Sequence, residues 1–351
     1  MKKLIKKSII DFSSYDAKRD LTGTVLDANE NFKDYFKIYK DEIIGELEKL
    51  NINRYPEFDG GRLRIALAGY AGLEPSNIII GNGSDELISI IVNSFIDNDD
   101  IIIACSPTFS MYEIYGKIAG GKTLYIDSDE NFNVNPEDII KSANENKAKI
   151  VFICNPNNPT GTVFKEEEII KIIENVSSLV VLDEAYYEFL GETLIDKVNK
   201  YKNLIVLRTL SKAFGLAGAR VGYGASSIDI IHILFSVKPP YNMNSISTAY
   251  ALVFLRHRDE ILKDTLKIIE RREELYNQLK NAKGSKVYKS GANFLLIETK
   301  DSEKVFNKLL KKNIRVRKYG SGKLENFLRI TIGSQETNDI LISLIKEGYF
   351  E

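Results

Sequence analysis

Residues 179–212 read LVVLDEAYYEFLGETLIDKVNKYKNLIVLRTLSK. Two aliphatic runs bracket this stretch, Leu179–Asp183 and Asn203–Arg208. Both are continuous rather than alternating, which is the pattern of strands covered on both faces. Each gives way to polar residues: Asp183-Glu-Ala-Tyr186 follows the first, and Thr209-Leu-Ser211-Lys212 follows the second. In an open parallel sheet, ligands bind at the carboxyl ends of the strands, so these are the positions to watch. Similar runs lie at Asn77–Ile80, Asp100–Cys105, Lys122–Ile126, Lys149–Cys154 and Arg220–Tyr223. Helical patterns separate several of them, as at Ser84–Phe95 and Lys165–Asn175. The second of these carries Glu166, Glu167 and Glu168 in its first turn, where the helix dipole favours negative charge. Strands alternating with helices predict βαβ units and a mostly parallel α/β sheet.

The pattern changes at Lys238-Pro-Pro240. Beyond it come a long helical stretch, Ser245–Leu279, then strand-like Phe294–Ile297, a helix at Glu303–Lys312, strand-like Ile314–Arg317 and Leu328–Ile332, and a last helix. This reads as a smaller α+β domain, and the first thirty or so residues read as an arm with little core of its own.

Composition removes several functions. With 351 residues, 44% apolar and 28% charged, the chain is long and apolar enough for a folded globular protein. Lys and Arg total 48 against 49 Asp and Glu, a net charge of −1, so nothing draws the whole chain to nucleic acid or an anionic membrane. The only histidines are His232 and His257, and the only cysteines Cys105 and Cys154. That inventory opposes a metal centre or a disulfide scaffold, and no metal is expected. The basic start, Met1 to Lys7, is not followed by a long apolar run, and no stretch is apolar enough to span a bilayer. A cytoplasmic protein with two buried, reduced cysteines is expected.

Two glycine motifs invite a nucleotide reading. Gly116-Lys-Ile-Ala-Gly-Gly121-Lys122-Thr123 has the letters of a P-loop, but a helix precedes it and a strand follows, the reverse of what a P-loop needs. Gly81-Asn-Gly83-Ser-Asp-Glu86 follows a strand and opens a helix, yet Glu86 stands where a dinucleotide fingerprint needs glycine. What survives is a helix N-terminus with flexible glycines, suited to one phosphate or serving simply as a capped turn.

Other polar segments follow predicted strands: Asn155-Pro-Asn-Asn158-Pro-Thr-Gly161 after the run ending at Cys154, and Ser211-Lys212 with Arg220 beyond it. In order and spacing, this set resembles the fold-type I, pyridoxal-phosphate-dependent aminotransferases of class II, and within them the histidinol-phosphate aminotransferase family. The resemblance spans nearly the whole chain. It rests on Leu26-Asp-Ala-Asn29-Glu-Asn31, Arg54-Tyr55-Pro56, Gly81 to Glu86, Pro107-Thr-Phe109, Asn158-Pro-Thr-Gly161, Asp183-Glu-Ala-Tyr186, Ser211-Lys212, Lys238-Pro-Pro-Tyr241-Asn242 and Leu328-Arg329-Ile-Thr-Ile-Gly333.

The resemblance implies an arm (1–33) packing with the small domain, a three-layer α/β/α large domain (34–240), a small domain (241–351) and a cytoplasmic homodimer of histidine biosynthesis. It implies pyridoxal 5′-phosphate held by Lys212 through a Schiff base, with Lys212 then moving the proton. Asp183 would pair with the ring nitrogen, Tyr186 and Asn158 would meet the ring hydroxyl, and Phe109, where many relatives have tyrosine, would stack on the ring. The amides of Ser84 and Asp85, the hydroxyls of Thr209 and Ser211 and the guanidinium of Arg220 would hold the phosphate, joined by Tyr55 from the partner subunit. Arg329, Arg317, Asn29 and Tyr15 would face the substrate; Tyr15 follows Ser14 where the family has proline. The implied reaction is transfer from L-histidinol phosphate to 2-oxoglutarate. Threonine-phosphate decarboxylation and aromatic amino-acid transamination remain open on the same fold.

Overall fold

The computed structural model describes residues 4–10, 22–280, 282–320 and 322–350. Among the described residues, twelve strands form two sheets. In chain order they are β1 (Thr24–Leu26), β2 (Ile78–Asn82), β3 (Ile101–Ser106), β4 (Lys122–Asp127), β5 (Ile150–Cys154), β6 (Leu179–Asp183), β7 (Leu204–Thr209), β8 (Val221–Ser226), β9 (Ser285–Val287), β10 (Phe294–Thr299), β11 (Ile314–Lys318) and β12 (Phe327–Thr331).

The seven-stranded sheet has the order β2-β8-β7-β6-β5-β3-β4. Every neighbouring pair is parallel except the two that involve β8. Strands β5, β6 and β7 are buried along their whole length, which is why their sequences are unbroken aliphatic runs. Register places Cys154, Asp183 and Leu207 side by side at the carboxyl edge, and Thr209 opposite Gly222. The fold is thus the mixed, mostly parallel α/β sheet that the strand and helix alternation predicts.

The five-stranded sheet has the order β1-β11-β12-β10-β9. Its outer strand β1 comes from the beginning of the chain and pairs in parallel with β11, Leu26 against Val316. That pairing carries residues 27–29 to the edge of the large sheet.

Three local expectations are corrected or sharpened. The strand expected at Arg220–Tyr223 runs over Val221–Ser226, and Arg220 stands just before it in the left-handed region at φ 53°. The helical stretch Ser245–Leu279 is two helices, Ser245–Arg256 and Arg258–Leu279, broken at His257. His257 stacks on Tyr39 at 4.1 Å and lies 2.7 Å from Glu42, so tertiary contacts hold the break that periodicity alone does not show. The P-loop look-alike is the end of helix Met111–Ala119, capped by Gly120 at φ 103°, leading into β4. Both cysteines are buried and free. Among the described residues, no helix is long and apolar enough to cross a membrane.

Candidate active site

At the carboxyl edge of β5, β6 and β7 opens a cavity of about 780 Å³. It is lined by all the site residues expected above except Tyr55 and Tyr15. Tyr15 lies outside the described residues. Tyr55 is 82% exposed and its ring stacks on Tyr241 at 4.8 Å.

One end of the cavity is built for an anion. Helix Gly83–Phe95 follows β2 directly, so the amides of its first turn, including those of Ser84 and Asp85, have no partner inside the helix and face the cavity. Two glycines allow this closeness. A β-carbon on Gly83, at φ 78°, would sit 2.5 Å from the Arg220 guanidinium, and one on Gly222 would sit 2.2 Å from the Ser84 nitrogen. Thr209 and Ser211 bring two hydroxyls, 2.9 Å apart, and Arg220 Nη1 donates to Ser211 Oγ at 3.4 Å. Asp85 Oδ2 accepts from the Tyr115 hydroxyl at 3.1 Å while its buried Oδ1 has no partner among the described residues, and burial pushes this carboxyl up.

A buried carboxylate stands on β6. Asp183 is 3% exposed and accepts from the Tyr112 hydroxyl at 2.7 Å and from the Ala185 amide at 3.1 Å. Burial pushes it up to about 6, against the lowering effect of Tyr112. Tyr112 is held by stacking on Phe152 at 4.4 Å, and Phe109 meets it edge-on at 5.7 Å. Next to Asp183 on the same turn, Tyr186 OH accepts from Asn29 Nδ2 at 2.8 Å, which leaves its own proton to donate; burial pushes this phenol up and keeps it protonated. Asn29 is 1% exposed in the left-handed region at φ 56°, pinned by Thr331 Oγ1 and by Asn293. Lys212 Nζ donates to the Ala28 carbonyl at 2.9 Å and lies 5.7 Å from the Tyr186 ring centre.

The small sheet closes the other side. Arg317 on β11 pairs directly with Arg329 on β12. Like charges in directly opposed positions are unfavourable, and among the described residues Arg329 bonds an amide oxygen and a backbone carbonyl rather than a carboxylate. Arg329 donates to Asn158 Oδ1 and, at 2.6 Å, to the Asp27 carbonyl, and its buried Nε has no partner. A second anion is what this pair lacks.

The residues fit pyridoxal phosphate: an anion cradle only glycine permits, a buried carboxylate short of a cation, a lysine, and room for a ring. Sequence reasoning missed Tyr112 and the carbonyls of Asp27 and Ala28. Tyr112 lies in the first turn of helix Met111–Ala119, where nothing local marks it, and nothing in the spacing of the carbonyls could have placed them.

Residues 7–345 match the family described as aminotransferase class I and II. The histidinol-phosphate aminotransferase of Clostridium novyi is 43% identical over 351 residues, covering 100% of this chain and 99% of that protein. That of a Thermoanaerobacter species is 42% identical over 350 residues, covering 98% of each. Among solved structures, the histidinol-phosphate aminotransferase of Sinorhizobium meliloti, in complex with pyridoxal-5′-phosphate, has a TM-score of 0.85 at 25% identity, covering 93% of this chain and 90% of that one.

Proposed function

The chain belongs to the class I and II aminotransferases, and from that premise we propose that it transfers the amino group of L-histidinol phosphate to 2-oxoglutarate, giving imidazole acetol phosphate and L-glutamate. The observation that carries this reading is one cavity with two separate anion sites, the Arg220 cradle and the Arg317–Arg329 pair, on either side of a buried carboxylate and a lysine. One site suits the cofactor's phosphate and the other the substrate's.

Bound pyridoxal phosphate supplies the aldehyde that takes up the amino group and the ring that accepts electrons. The first-turn amides of Ser84 and Asp85, with Thr209, Ser211 and Arg220, would hold its phosphate. Asp183 holds a proton on the ring nitrogen. The buried carboxylate has no cation of its own, so a protonated nitrogen satisfies it and keeps it ionised. Tyr186 would donate its hydroxyl proton and Asn158 its amide to the ring oxygen, and Phe109 would offer the ring an aromatic face. Lys212 Nζ removes the proton from the substrate carbon that bears the amine and delivers one back. Arg317 and Arg329 take the substrate phosphate in this half-reaction and the acceptor's carboxylate in the other, a planar bidentate task suited to guanidinium. Asn29 positions Tyr186.

We assign the arm to residues 1–33, the large domain to 34–240 and the small domain to 241–351; the two sheets and the β1–β11 pairing support this division. We further infer a cytoplasmic homodimer in which Tyr55 serves the neighbouring subunit's cofactor phosphate. Its exposure and its absence from the cavity of its own chain support that assignment. The reading is tested by product analysis after incubation with 2-oxoglutarate and, in turn, histidinol phosphate, threonine phosphate, phenylalanine and aspartate. Glutamate is expected to form fastest with histidinol phosphate. Release of CO₂ from threonine phosphate, or faster turnover of phenylalanine, would overturn the substrate assignment.

A further inference from the structure

One motif has no role in the chemistry above: Lys238-Pro-Pro-Tyr241-Asn242. It joins two parts of the molecule that are far apart in sequence. On one side, Asn242 Nδ2 donates to Glu86 Oε2 at 2.7 Å, and the same oxygen accepts from the Asn82 amide at 2.7 Å. Asn82 Nδ2 returns a bond to the Asn242 carbonyl at 2.9 Å. Asn82 is the residue before Gly83, so these bonds fix the turn that aims the first amides of helix Gly83–Phe95 into the cavity. Lys238, 6% exposed, donates to Asn242 Oδ1 at 2.8 Å and so fixes which way the amide of Asn242 points.

On the other side, Tyr241 carries the exposed loop. Its ring stacks on Tyr55 at 4.8 Å and 22°, and Phe58 packs edge-on against it at 5.6 Å and 81°. Tyr241 is non-glycine at φ 56°, a conformation that costs energy unless its surroundings hold it. The strain sits between a ring that faces outward and an amide that faces inward.

We propose that this motif is a strut with two outputs. Asn242 positions the phosphate-facing turn of its own subunit, and Tyr241 positions Tyr55 for the phosphate site of the neighbouring subunit. Neither residue touches the cofactor; both act through another group. The second output rests on the reading of Tyr55 given above. The strut makes the two sites of a dimer dependent on each other's geometry at the phosphate end.

Mixed dimers of two differently tagged chains test this. One chain carries Lys212→Ala, so only the other chain's site reacts, and that site draws its Tyr55 from the Lys212→Ala chain. The readout is the pyridoxal phosphate concentration that half-saturates the absorbance of the lysine-bound cofactor, which only the chain that keeps Lys212 can form. Tyr241→Ala on the Lys212→Ala chain is expected to raise it about 3- to 10-fold, the worth of one aromatic pair. The same change on the reacting chain is expected to leave it within about twofold, and Tyr241→Phe, which keeps the ring, to leave it unchanged on either chain. Asn242→Ala is expected to do the opposite, raising it about tenfold on the reacting chain and little on the other. General destabilisation would act equally from both chains, so equal effects overturn the proposal. Tyr55→Phe on the Lys212→Ala chain separates the two claims. If it has no effect, the shared-site reading fails and the second output with it. If it weakens binding and Tyr241→Ala does not, the strut alone fails.

Discussion

Asp183 and Glu184 are adjacent in sequence and almost equally buried, at 3% and 2% exposure, yet they live in opposite electrostatic situations. Glu184 points away from the cavity and is fully answered. Its carboxylate accepts from Arg208 Nε at 2.9 Å, from the Leu194 amide at 3.0 Å and from the Thr193 hydroxyl. Arg208 in turn lies 3.5 Å from the Tyr187 ring centre and donates to Tyr223. Asp183, one residue earlier and on the cavity side, has a phenol and an amide but no cation. The difference separates a carboxylate that holds the fold together from one left short for a ligand. Burial alone does not mark a functional acid; burial without a counter-charge, facing a cavity, does.

The comparison can be broken by substitution, and the largest effect expected is on its cavity side. Lys212→Ala is expected to lower turnover at least about 10³-fold while leaving the fold intact, measured by steady-state kinetics beside circular dichroism. Asp183→Asn keeps shape and removes charge; kcat at saturating cofactor is expected to fall about 10²- to 10³-fold with little change in the unfolding free energy of the cofactor-loaded protein. Glu184→Gln should reverse that division. It removes the carboxylate that bonds Arg208 Nε and leaves that buried guanidinium with only the attraction of Glu188, costing about 3 kcal/mol in denaturant unfolding, while kcat at saturating cofactor stays within about threefold. A Glu184→Gln protein that is stable but inactive would break the comparison outright.

Titration sharpens it. Unfolded aspartate ionises near 3.9, and in the folded protein without cofactor burial pushes Asp183 up to about 6. The folded state therefore holds the proton more tightly across that window, and stability falls as pH rises from about 4 to 6, by about 3 kcal/mol from this group. Glu188, pushed up to about 7 by burial, adds a trend of the same sign, so the quantity to measure is the difference between wild-type and Asp183→Asn unfolding curves. Adding pyridoxal phosphate should abolish that difference, because a cation beside the carboxylate lowers its pKa again. The smallest effect belongs to Tyr112→Phe, which removes the 2.7 Å bond to Asp183. It is expected to weaken cofactor binding about 5- to 10-fold and to move the pH profile of kcat, with the stacking on Phe152 preserved.

Much of this was legible in residue order. Buried parallel strands are unbroken aliphatic runs, so β5, β6 and β7 announced themselves, and the polar residues that end them line the cavity. The glycines at the helix start left a capped turn and a phosphate site equally open, and it was the order of the other motifs that favoured the phosphate. What stayed hidden depends on distance along the chain. Lys212 meets the carbonyl of Ala28 only because β1 joins a sheet made otherwise from the last quarter of the sequence. The two-helix break at His257 comes from Tyr39 and Glu42, which no local period can report. Tyr112 has an ordinary helical position; its meaning comes from the Asp183 carboxylate on β6.

The central claim is that Lys212 and Asp183 serve an amino-group transfer from histidinol phosphate. The most direct measurement is the half-reaction: cofactor-loaded protein mixed with L-histidinol phosphate and no acceptor, followed by absorbance and by product analysis. The account predicts that the cofactor's aldehyde absorption is lost, that imidazole acetol phosphate forms at one equivalent per site, and that 2-oxoglutarate restores the spectrum with release of glutamate. An unchanged spectrum, or a change that 2-oxoglutarate does not reverse, would contradict it.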